Sequence, residues 1–510
     1  MANSRTKNTL LNTASGIAVK IISLFAAFIT RTVFIRSLGI QYAGVSGVFT
    51  DVLTMLSFVE MGIGSAIVFA LYKPIAKNDE VQILKLMNAY KKIYSAIAAV
   101  ILILGLTLIP FLNYLIKDVP NIVEDIRVIY IFYLLNTSLS YLLIYKQTFL
   151  TAAQKDYIVS KYKFIISIVK AAAECILLIV FRNFFVYLTF NCVITVIQNV
   201  VTAVAAEKEY PILKSKSKVS LERSEQKKLF ENVKALFLYK VSGTVLNGTD
   251  SVVISSFVGT SFVGILGNYN LIANAVYTTV MQLFSATSAS IGNLSATSTA
   301  EHQYKVFNKL FFLCAWIYCF CTTSLWVLLN PFISIWQGEE YLFSMAVVTV
   351  FTTEFYMKGM LSPISQFRTS NGLFVQGKYR PLIMAVINIV VSVALVQKIG
   401  VLGVLLGTVI SRVSTQLWFD PYLIFKYVFK KNVWGFYLKY ITYACLTSIC
   451  CLVTNAVLGL MNISNPYINL FAGAALCVLI PNLVMYLLFS RTEEFKELFD
   501  LAKRIIKRKI

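Results

Sequence analysis

The chain has 510 residues, of which 58% are hydrophobic, and its mean hydropathy is +0.72. Soluble domains are about 45–50% apolar, so this composition excludes an ordinary water-soluble protein. The formal net charge of +22 would suit a nucleic-acid-binding protein, and the distribution of the charges decides whether that class is excluded as well.

Long apolar runs follow one another along the whole chain. A run of about 20 residues spans a hydrocarbon core about 30 Å thick. The start, MANSRTKNTLLN, lacks the apolar core and cleavage site of a secretory signal peptide, so we expect the first run to remain in the membrane. The predicted fold is therefore an all-α polytopic membrane protein with about fourteen transmembrane helices. The runs are approximately 13–36, 43–71, 91–113, 126–150, 161–181, 184–205, 234–257, 261–290, 307–330, 341–364, 381–397, 400–424, 436–459 and 466–490.

The basic residues are distributed as a membrane topology requires. If both termini are cytoplasmic, 35 of the 46 lysines and arginines fall in cytoplasmic segments and five in external loops. Such an excess on one side is the positive-inside rule, and it supports fourteen spans in this orientation. The charge thus indicates a membrane protein, and we expect no nucleic-acid partner.

The residues that most enzymes need do not occur together. Nine cysteines lie in or beside apolar runs without a CxxC pair, and the one histidine is His302. A zinc site or a Cys/His nucleophile needs partners that this pattern lacks. The sequence has neither a GxxxxGK[ST] phosphate loop nor a GxSxG elbow. We therefore expect no catalytic residues, no metal site and no bound cofactor.

One glycine spacing occurs twice. The segments SLGIQYAGVSGVF, residues 37–49, and FVGTSFVGILGNY, residues 257–269, carry three glycines each at an offset of 220. Six helices separate the two copies, so both run in the same direction through the membrane. Two parallel halves of this kind are a transporter design, in which the halves rock to alternate access to a cavity.

The repeat predicts the domain organisation. We expect two six-helix bundles joined by a basic loop, followed by two further helices and an amphipathic tail on the inner membrane surface. These parts are the N-terminal bundle 1–205, the basic cytoplasmic linker 206–233, the C-terminal bundle 234–425, the two extra transmembrane helices 426–490 and the basic amphipathic cytoplasmic tail 491–510.

The stretch SLGIQYAGVSGVFTDVLTMLSFVEMGIGSAIV, residues 37–68, resembles the polysaccharide flippase family (the Wzx type) of the multidrug/oligosaccharidyl-lipid/polysaccharide exporter superfamily. The shared pattern is an LG-x4-G-x2-G turn followed by a GIGSA-like segment, and the repeat and the length extend the resemblance over the chain. The resemblance implies a bacterial cytoplasmic-membrane protein that moves a lipid-linked sugar chain, in some members with an ion gradient. It also implies membrane lipids and polysaccharide polymerase machinery as partners.

A polyprenyl-diphosphate sugar would need cations and hydrogen-bonding groups inside the membrane. Six basic residues lie inside apolar runs and away from their ends: Lys20, Arg31, Lys170, Lys240, Lys358 and Arg412. Lys170 and Lys358 each have a glutamate four residues away, Glu174 and Glu354, so pairing within the helix is the simple explanation for both. Lys20 and Lys240 have the alternative of reaching the cytoplasmic interface.

Arg31 and Arg412 are the main candidates for contacting the diphosphate. Lys20 and Arg31 share one face of the first helix. Arg412 has no acidic residue within one turn, so it either faces the lumen or pairs between helices with Asp250 or Glu354. The predicted substrate-binding residues are Arg31, Arg412 and Lys20, with Asn270, Asn274 and Gln416 for the sugar hydroxyls.

Polar residues at helical spacing indicate faces that avoid lipid. One such stripe is Asn191, Thr195 and Asn199, which could line a lumen or hold helices together. A carboxylate at this depth could also bind Na⁺ or H⁺ and couple an ion gradient to transport. The predicted ion-coupling residues are Asp250, Asn247, Asn388 and Thr408, with a salt bridge from Asp250 to Arg412 or Lys240 as the alternative.

The leading hypothesis is a flippase that moves an undecaprenyl-diphosphate-linked oligosaccharide from the inner to the outer leaflet of the cytoplasmic membrane. The headgroup would pass through a cationic lumen between the halves while the lipid tail stays in the bilayer. The alternatives are a cation-coupled multidrug exporter of the same superfamily and a non-transporting scaffold of a glycan-assembly complex.

Overall fold

The structure is a computed structural model. It describes residues 22–60, 63–116, 122–215, 219–223, 226, 248–285, 287–373 and 375–507. Regular secondary structure in this part of the chain is helical throughout, and each of the fourteen predicted runs is mainly helical where it is described. The prediction of an all-α membrane protein is confirmed.

The helices of the first half are α1 (22–38), α2 (Ile40–Leu56), α3 (Ile63–Lys77), α4 (Glu80–Thr107), α5 (Leu112–Leu115), α6 (Ile126–Ser140), α7 (Ile144–Ala152), α8 (Asp156–Phe181) and α9 (Phe184–Glu209). Those of the second half are α10 (248–257), α11 (Thr260–Ser285), α12 (Ser288–Thr297), α13 (Ala300–Trp336), α14 (Met345–Met360), α15 (Ser362–Ser370), α16 (Arg380–Ile399), α17 (Val401–Ser414), α18 (Gln416–Ile424), α19 (Trp434–Leu460), α20 (Pro466–Phe489) and α21 (Glu493–Lys507).

Several predicted spans are broken helices rather than single rods. Among the described residues, eight helices are long and apolar enough to cross a membrane, or nine if the bent pair α6 and α7 is one span. These two helices meet at 41°. In the second half, the predicted span 341–364 is likewise divided, into α14 and α15, and α14 alone has only 16 residues. Breaks of this kind shorten the helices of two predicted spans, and the predicted spans 13–36 and 234–257 are described only in part.

The contacts within the chain divide it into two units, Met1–Gly264 and Ile265–Ile510. The sequence predicts that the second bundle begins at residue 234, which lies outside the described residues. Helix α10 and the first turn of α11 belong to the first unit, because they pack against its residues. Residues 216–218, 224–225 and 227–233 of the predicted linker 206–233 also lie outside the described residues.

The repeated glycines have equivalent positions at the starts of α2 and α11. Gly39 and Gly259 have positive φ angles of 101° and 138°, a conformation that side chains disfavour, and each directly precedes its helix. Gly44 and Gly264 lie where the first turns of the two helices touch. A Cβ atom on Gly44 would lie 1.9 Å from the carbonyl oxygen of Thr260, and one on Gly264 would lie 2.6 Å from that of Ile40. The glycine spacing occurs twice because the backbones of α2 and α11 approach each other closely, and each helix needs a glycine at the point of contact.

Replacing Gly44 by Ala is expected to destabilise the protein, because the new Cβ would overlap backbone atoms of α11 that cannot move aside as a side chain can. Overpacking of this kind costs about 1–3 kcal/mol. Thermal unfolding of the purified protein in detergent measures the change. The matched control is Gly459→Ala, because a Cβ at that helical glycine would meet no atom within 4 Å. Equal melting temperatures for the two variants would contradict the close approach.

The second unit is built around the long helix α13, which packs against α14, α19 and α20. Its core contains an aromatic cluster in which Phe307 is central. The Phe307 ring meets Phe367 edge to face, with centroids 5.5 Å apart, and lies 5.1 Å from the ring of Phe429. Edge-to-face and tilted rings pack favourably, so this cluster fixes α13 against α15 and against the π-helical segment Phe425–Phe429 that follows α18.

The tail helix α21 docks on the second unit through its first turns. Phe495 is 8% exposed and stacks on Trp316, with ring centroids 5.5 Å apart. Lys439 donates to Glu494 at 3.0 Å, and Lys309 pairs with Glu497. The predicted amphipathic helix is therefore present, but at Phe495 its apolar face packs against protein rather than against lipid.

Candidate functional site

A group of charged residues lies where α14 and α17 meet in the second unit. The Nη2 atom of Arg412 donates to Oε1 of Glu354 at 2.6 Å, and Nη1 donates to Oε1 of Gln416 at 2.8 Å. The side chains of Arg412 and Glu354 are 13% and 24% exposed, so the pair is only partly withdrawn from solvent. Of the two sequence interpretations of Arg412, the structure shows the interhelical pair with Glu354.

A second cation lies beside this pair. Lys358 Nζ lies 4.3 Å from the centroid of the Tyr277 ring, a cation–π contact. The predicted pairing of Lys358 with Glu354 within α14 is therefore wrong, since Glu354 pairs with Arg412 instead. The prediction was correct for Lys170 and Glu174, whose charged atoms are 3.7 Å apart.

We call Tyr277, Glu354, Lys358, Arg412 and Gln416 the cation cluster. It contains two positive charges and one negative charge, so it carries a surplus positive charge within an apolar fold. Among the residues that the structure describes, the Nε atom of Arg412 has no acceptor. The arrangement is suited to an anion that brings its own acceptor oxygens.

The four predicted ion-coupling residues are only partly brought together. Asn388 and Thr408 are buried, and the Asn388 amide donates to the Thr408 hydroxyl at 2.8 Å. Asp250 is half-buried on α10, in the other unit, and Asn247 lies outside the described residues. The ion site therefore stays a prediction.

The remaining predicted substrate residues have varied surroundings. Arg31 Nη2 donates to the carbonyl oxygen of Gly264 at 2.7 Å, and so ties α1 to the first turn of α11. Asn270 is half-buried and Asn274 exposed, both on α11, and Lys20 lies outside the described residues. The contact of Arg31 with a backbone carbonyl shows a structural contribution that the sequence analysis did not predict.

The polar stripe on α9 holds a broken helix together. Asn199 donates to the carbonyl oxygens of Leu139 and Ser140, at 3.0 and 3.1 Å, at the end of α6. Gln147 on α7 donates to Thr202 on α9 at 2.8 Å. Asn199 therefore holds helices together, which is one of the two roles predicted for the stripe. It does so because a break in a membrane helix leaves carbonyl groups that need hydrogen-bond donors.

Replacing Asn199 by Ala is expected to lower the free energy of unfolding by about 1–3 kcal/mol, because the part-buried Ser140 carbonyl loses its amide donor and the Leu139 carbonyl keeps the Leu142 N–H alone. The control is Thr195→Val on the same helix, since the Thr195 hydroxyl donates to Asn191 within α9. Thermal unfolding in detergent compares the two variants. If the Asn199 variant unfolds at the wild-type temperature, the amide does not stabilise the break.

A second buried charge cluster was missed by the sequence analysis. Asp420 on α18 is 1% exposed, and its Oδ1 atom lies 2.8 Å from Arg368 Nη1 and 3.2 Å from Arg380 Nε. The two arginines come from α15 and the start of α16, so one carboxylate joins three helices. A lone aspartate inside the predicted span 400–424 was the signal that could have indicated this cluster.

Comparison by sequence identifies no relatives: no protein-family model and no curated protein matches the chain. Comparison by structure identifies similar proteins. The lipid II flippase MurJ in an inward closed conformation has a TM-score of 0.65 and 16% identity, covering 94% of this chain and 99% of that chain.

Two MATE transporters are also similar. An inward-facing multidrug resistance MATE family transporter of the MOP superfamily has a TM-score of 0.53 and 13% identity, covering 78% of this chain and 94% of that chain. A MATE transporter of Vibrio cholerae has a TM-score of 0.53 and 13% identity, covering 85% and 97%. The chain thus has the fold of these transporters, and at such identities the likeness concerns the fold alone.

Proposed function

We propose that this protein is a flippase that moves a lipid-linked oligosaccharide, carried on undecaprenyl diphosphate, from the inner to the outer leaflet of the cell membrane by alternating access. The cation cluster is the observation that carries the proposal. A diphosphate is strongly anionic, and charge is expensive at membrane depth unless a partner of opposite sign is present.

The cluster favours an anion over a cation by its charge. Arg412 can present two parallel N–H groups to phosphate oxygens, and Lys358 adds a second positive charge. Glu354 occupies one of the Arg412 donors. We infer that the diphosphate takes the place of the Glu354 carboxylate on the Arg412 guanidinium. While no cargo is bound, Glu354 provides the hydrogen-bond acceptor and the opposite charge that Arg412 needs.

The fold agrees with this proposal. Among the similar structures, the one named as a lipid II flippase matches nearly the whole of both chains. A lipid-linked cargo also agrees with the resemblance of residues 37–68 to polysaccharide flippases. The membrane lipids would hold the polyprenyl tail, and polysaccharide polymerase machinery would use the delivered product. Both termini would be cytoplasmic.

Arg412→Gln is expected to slow flipping of a fluorescent undecaprenyl-diphosphate oligosaccharide in proteoliposomes by about tenfold or more, the effect of losing one charge-assisted hydrogen bond. Lys398→Gln is the control, because it removes one positive charge from an exposed position at the end of α16.

A single change at Arg412 leaves Glu354 without its partner and could impair folding. The double variant Arg412→Gln with Glu354→Gln removes both charges together and leaves no unpaired carboxylate. If the double variant folds and still moves the lipid at the wild-type rate, the cluster does not bind the diphosphate. If the wild type moves no lipid under any gradient, the flippase proposal itself fails.

Ion coupling is proposed at Asp250, with Asn247, Asn388 and Thr408 as further oxygen ligands and Na⁺ or H⁺ as the ion. Asp250→Asn is expected to remove the stimulation of flipping by an imposed gradient of the coupling ion while leaving slow basal movement. Movement of the lipid under separate Na⁺ and H⁺ gradients measures this. Unchanged stimulation in the variant would show that the coupling carboxylate lies elsewhere.

A multidrug exporter is the second candidate, because two of the similar structures are MATE transporters. An exporter of organic cations would need a carboxylate free to attract them, and Glu354 is already paired with Arg412. Export of ethidium from proteoliposomes, together with failure to move the lipid, would favour this candidate.

A further inference from the structure

The first unit contains a cavity of about 600 Å³ where α3, α7 and α8 come together. Small-molecule sites have volumes of roughly 300–1,000 Å³. Each helix presents one face to the cavity, at the spacing of a helix turn. These faces are Gly64, Val68 and Tyr72 on α3, Gln147, Thr148 and Thr151 on α7, and Asp156, Val159 and Lys163 on α8.

The α3 side of the cavity is aromatic. Phe69 is 70% exposed and Tyr72 is 48% exposed, and both line the cavity. Gly64, on the same helix, adds no side-chain volume. The α3 side therefore offers flat rings that a ligand can reach.

The opposite side of the cavity is polar. Thr148 and Thr151 come from α7, and Asp156 and Lys163 from the start of α8. The Thr151 hydroxyl donates to Oδ1 of Asp156 at 2.9 Å, and this hydrogen bond holds the Asp156 carboxylate beside α7. Burying several hydroxyl groups and a carboxylate against a hydrocarbon chain without hydrogen-bond partners would be costly. The cavity is therefore suited to a hydrated polar ligand.

We propose that this cavity binds the sugar portion of the cargo, an inference that rests on the proposed flippase function. A pyranose ring has an apolar C–H face, which stacks on aromatic rings, and an edge of hydroxyl groups, which bond to carboxylates, amides and hydroxyls. Phe69 and Tyr72 supply the rings, and Asp156 and Thr148 supply the polar partners.

The charge of the cavity separates a sugar from the other ligands that the fold could accept. One carboxylate, Asp156, and one ammonium group, Lys163, line the cavity, so these two charges cancel. With no surplus charge, the cavity gives neither a diphosphate nor an organic cation a net electrostatic attraction that would offset its loss of hydration. A neutral sugar meets neither cost, and diphosphate binding belongs to the cation cluster of the other unit.

The test compares two probes that differ only in the sugar: undecaprenyl diphosphate bearing one N-acetylglucosamine, and undecaprenyl diphosphate alone. Their affinities for the purified full-length protein are measured for the wild type, Tyr72→Leu and Asp156→Asn. Tyr114→Leu is the control, because Tyr114 is 78% exposed and does not line the cavity.

We expect Tyr72→Leu and Asp156→Asn each to weaken binding of the sugar-bearing lipid about fivefold to tenfold, the loss of one ring contact or hydrogen bond. Binding of the sugarless lipid stays at the wild-type level. Equal effects on both lipids, or none on either, would overturn the inference while leaving the flippase proposal intact. Binding of tetraphenylphosphonium that depends on Asp156 would make the cavity an organic-cation site and overturn it too.

If the wild-type protein binds neither lipid, the flippase proposal fails, and the cavity is then tested with a soluble ligand. Saturation-transfer NMR with a free N-acetylglucosamine trimer detects weak binding. A signal that the Tyr72→Leu variant loses and the Tyr114→Leu variant keeps would support the sugar site. No signal in the wild type would overturn it.

Discussion

The close approach of two helix starts is the constraint on which much of the first unit depends. Gly44 and Gly264 let the first turns of α2 and α11 touch through their backbones, at distances that no side chain would permit. Arg31 then reaches the Gly264 carbonyl and adds α1 to the same contact. In a membrane, where burial of apolar surface gives little driving force between helices, such backbone proximity and interhelical hydrogen bonds supply the stabilisation.

Charges inside the apolar fold are arranged in two different ways. Asp420 is nearly inaccessible and has two arginines around it, so it joins α15, α16 and α18. The cation cluster is more open, with Glu354 24% exposed, and its positive charges outnumber its carboxylate. The first arrangement suits a fixed structural joint, because separating buried partners is costly. The second suits an exchangeable partner.

The sequence predicts the elements well and the contacts poorly. Apolar runs and charge asymmetry report on single helices, so every run is mainly helical where the structure describes it. The repeated glycines also predict equivalent helix starts. The partner of Glu354 could not be predicted, because a lysine one turn away and an arginine on another helix are both within reach. Similarly, the break after Ser140 carries no glycine or proline, and the amide that stabilises it comes from Asn199, far along the chain.

That same break has a consequence for how the chain is made. Helices enter the membrane in the order of synthesis, and α6 and α7 arrive well before α9. Until Asn199 emerges, the carbonyl group of Ser140 lacks the amide donor that it has in the finished protein, whereas that of Leu139 can still accept from the Leu142 N–H. Unsatisfied backbone groups are costly in lipid. During biogenesis we therefore expect α6 and α7 to remain in a more hydrated environment, at the insertion machinery or at the membrane–water interface. They reach their final position in the membrane only when α9 has been inserted.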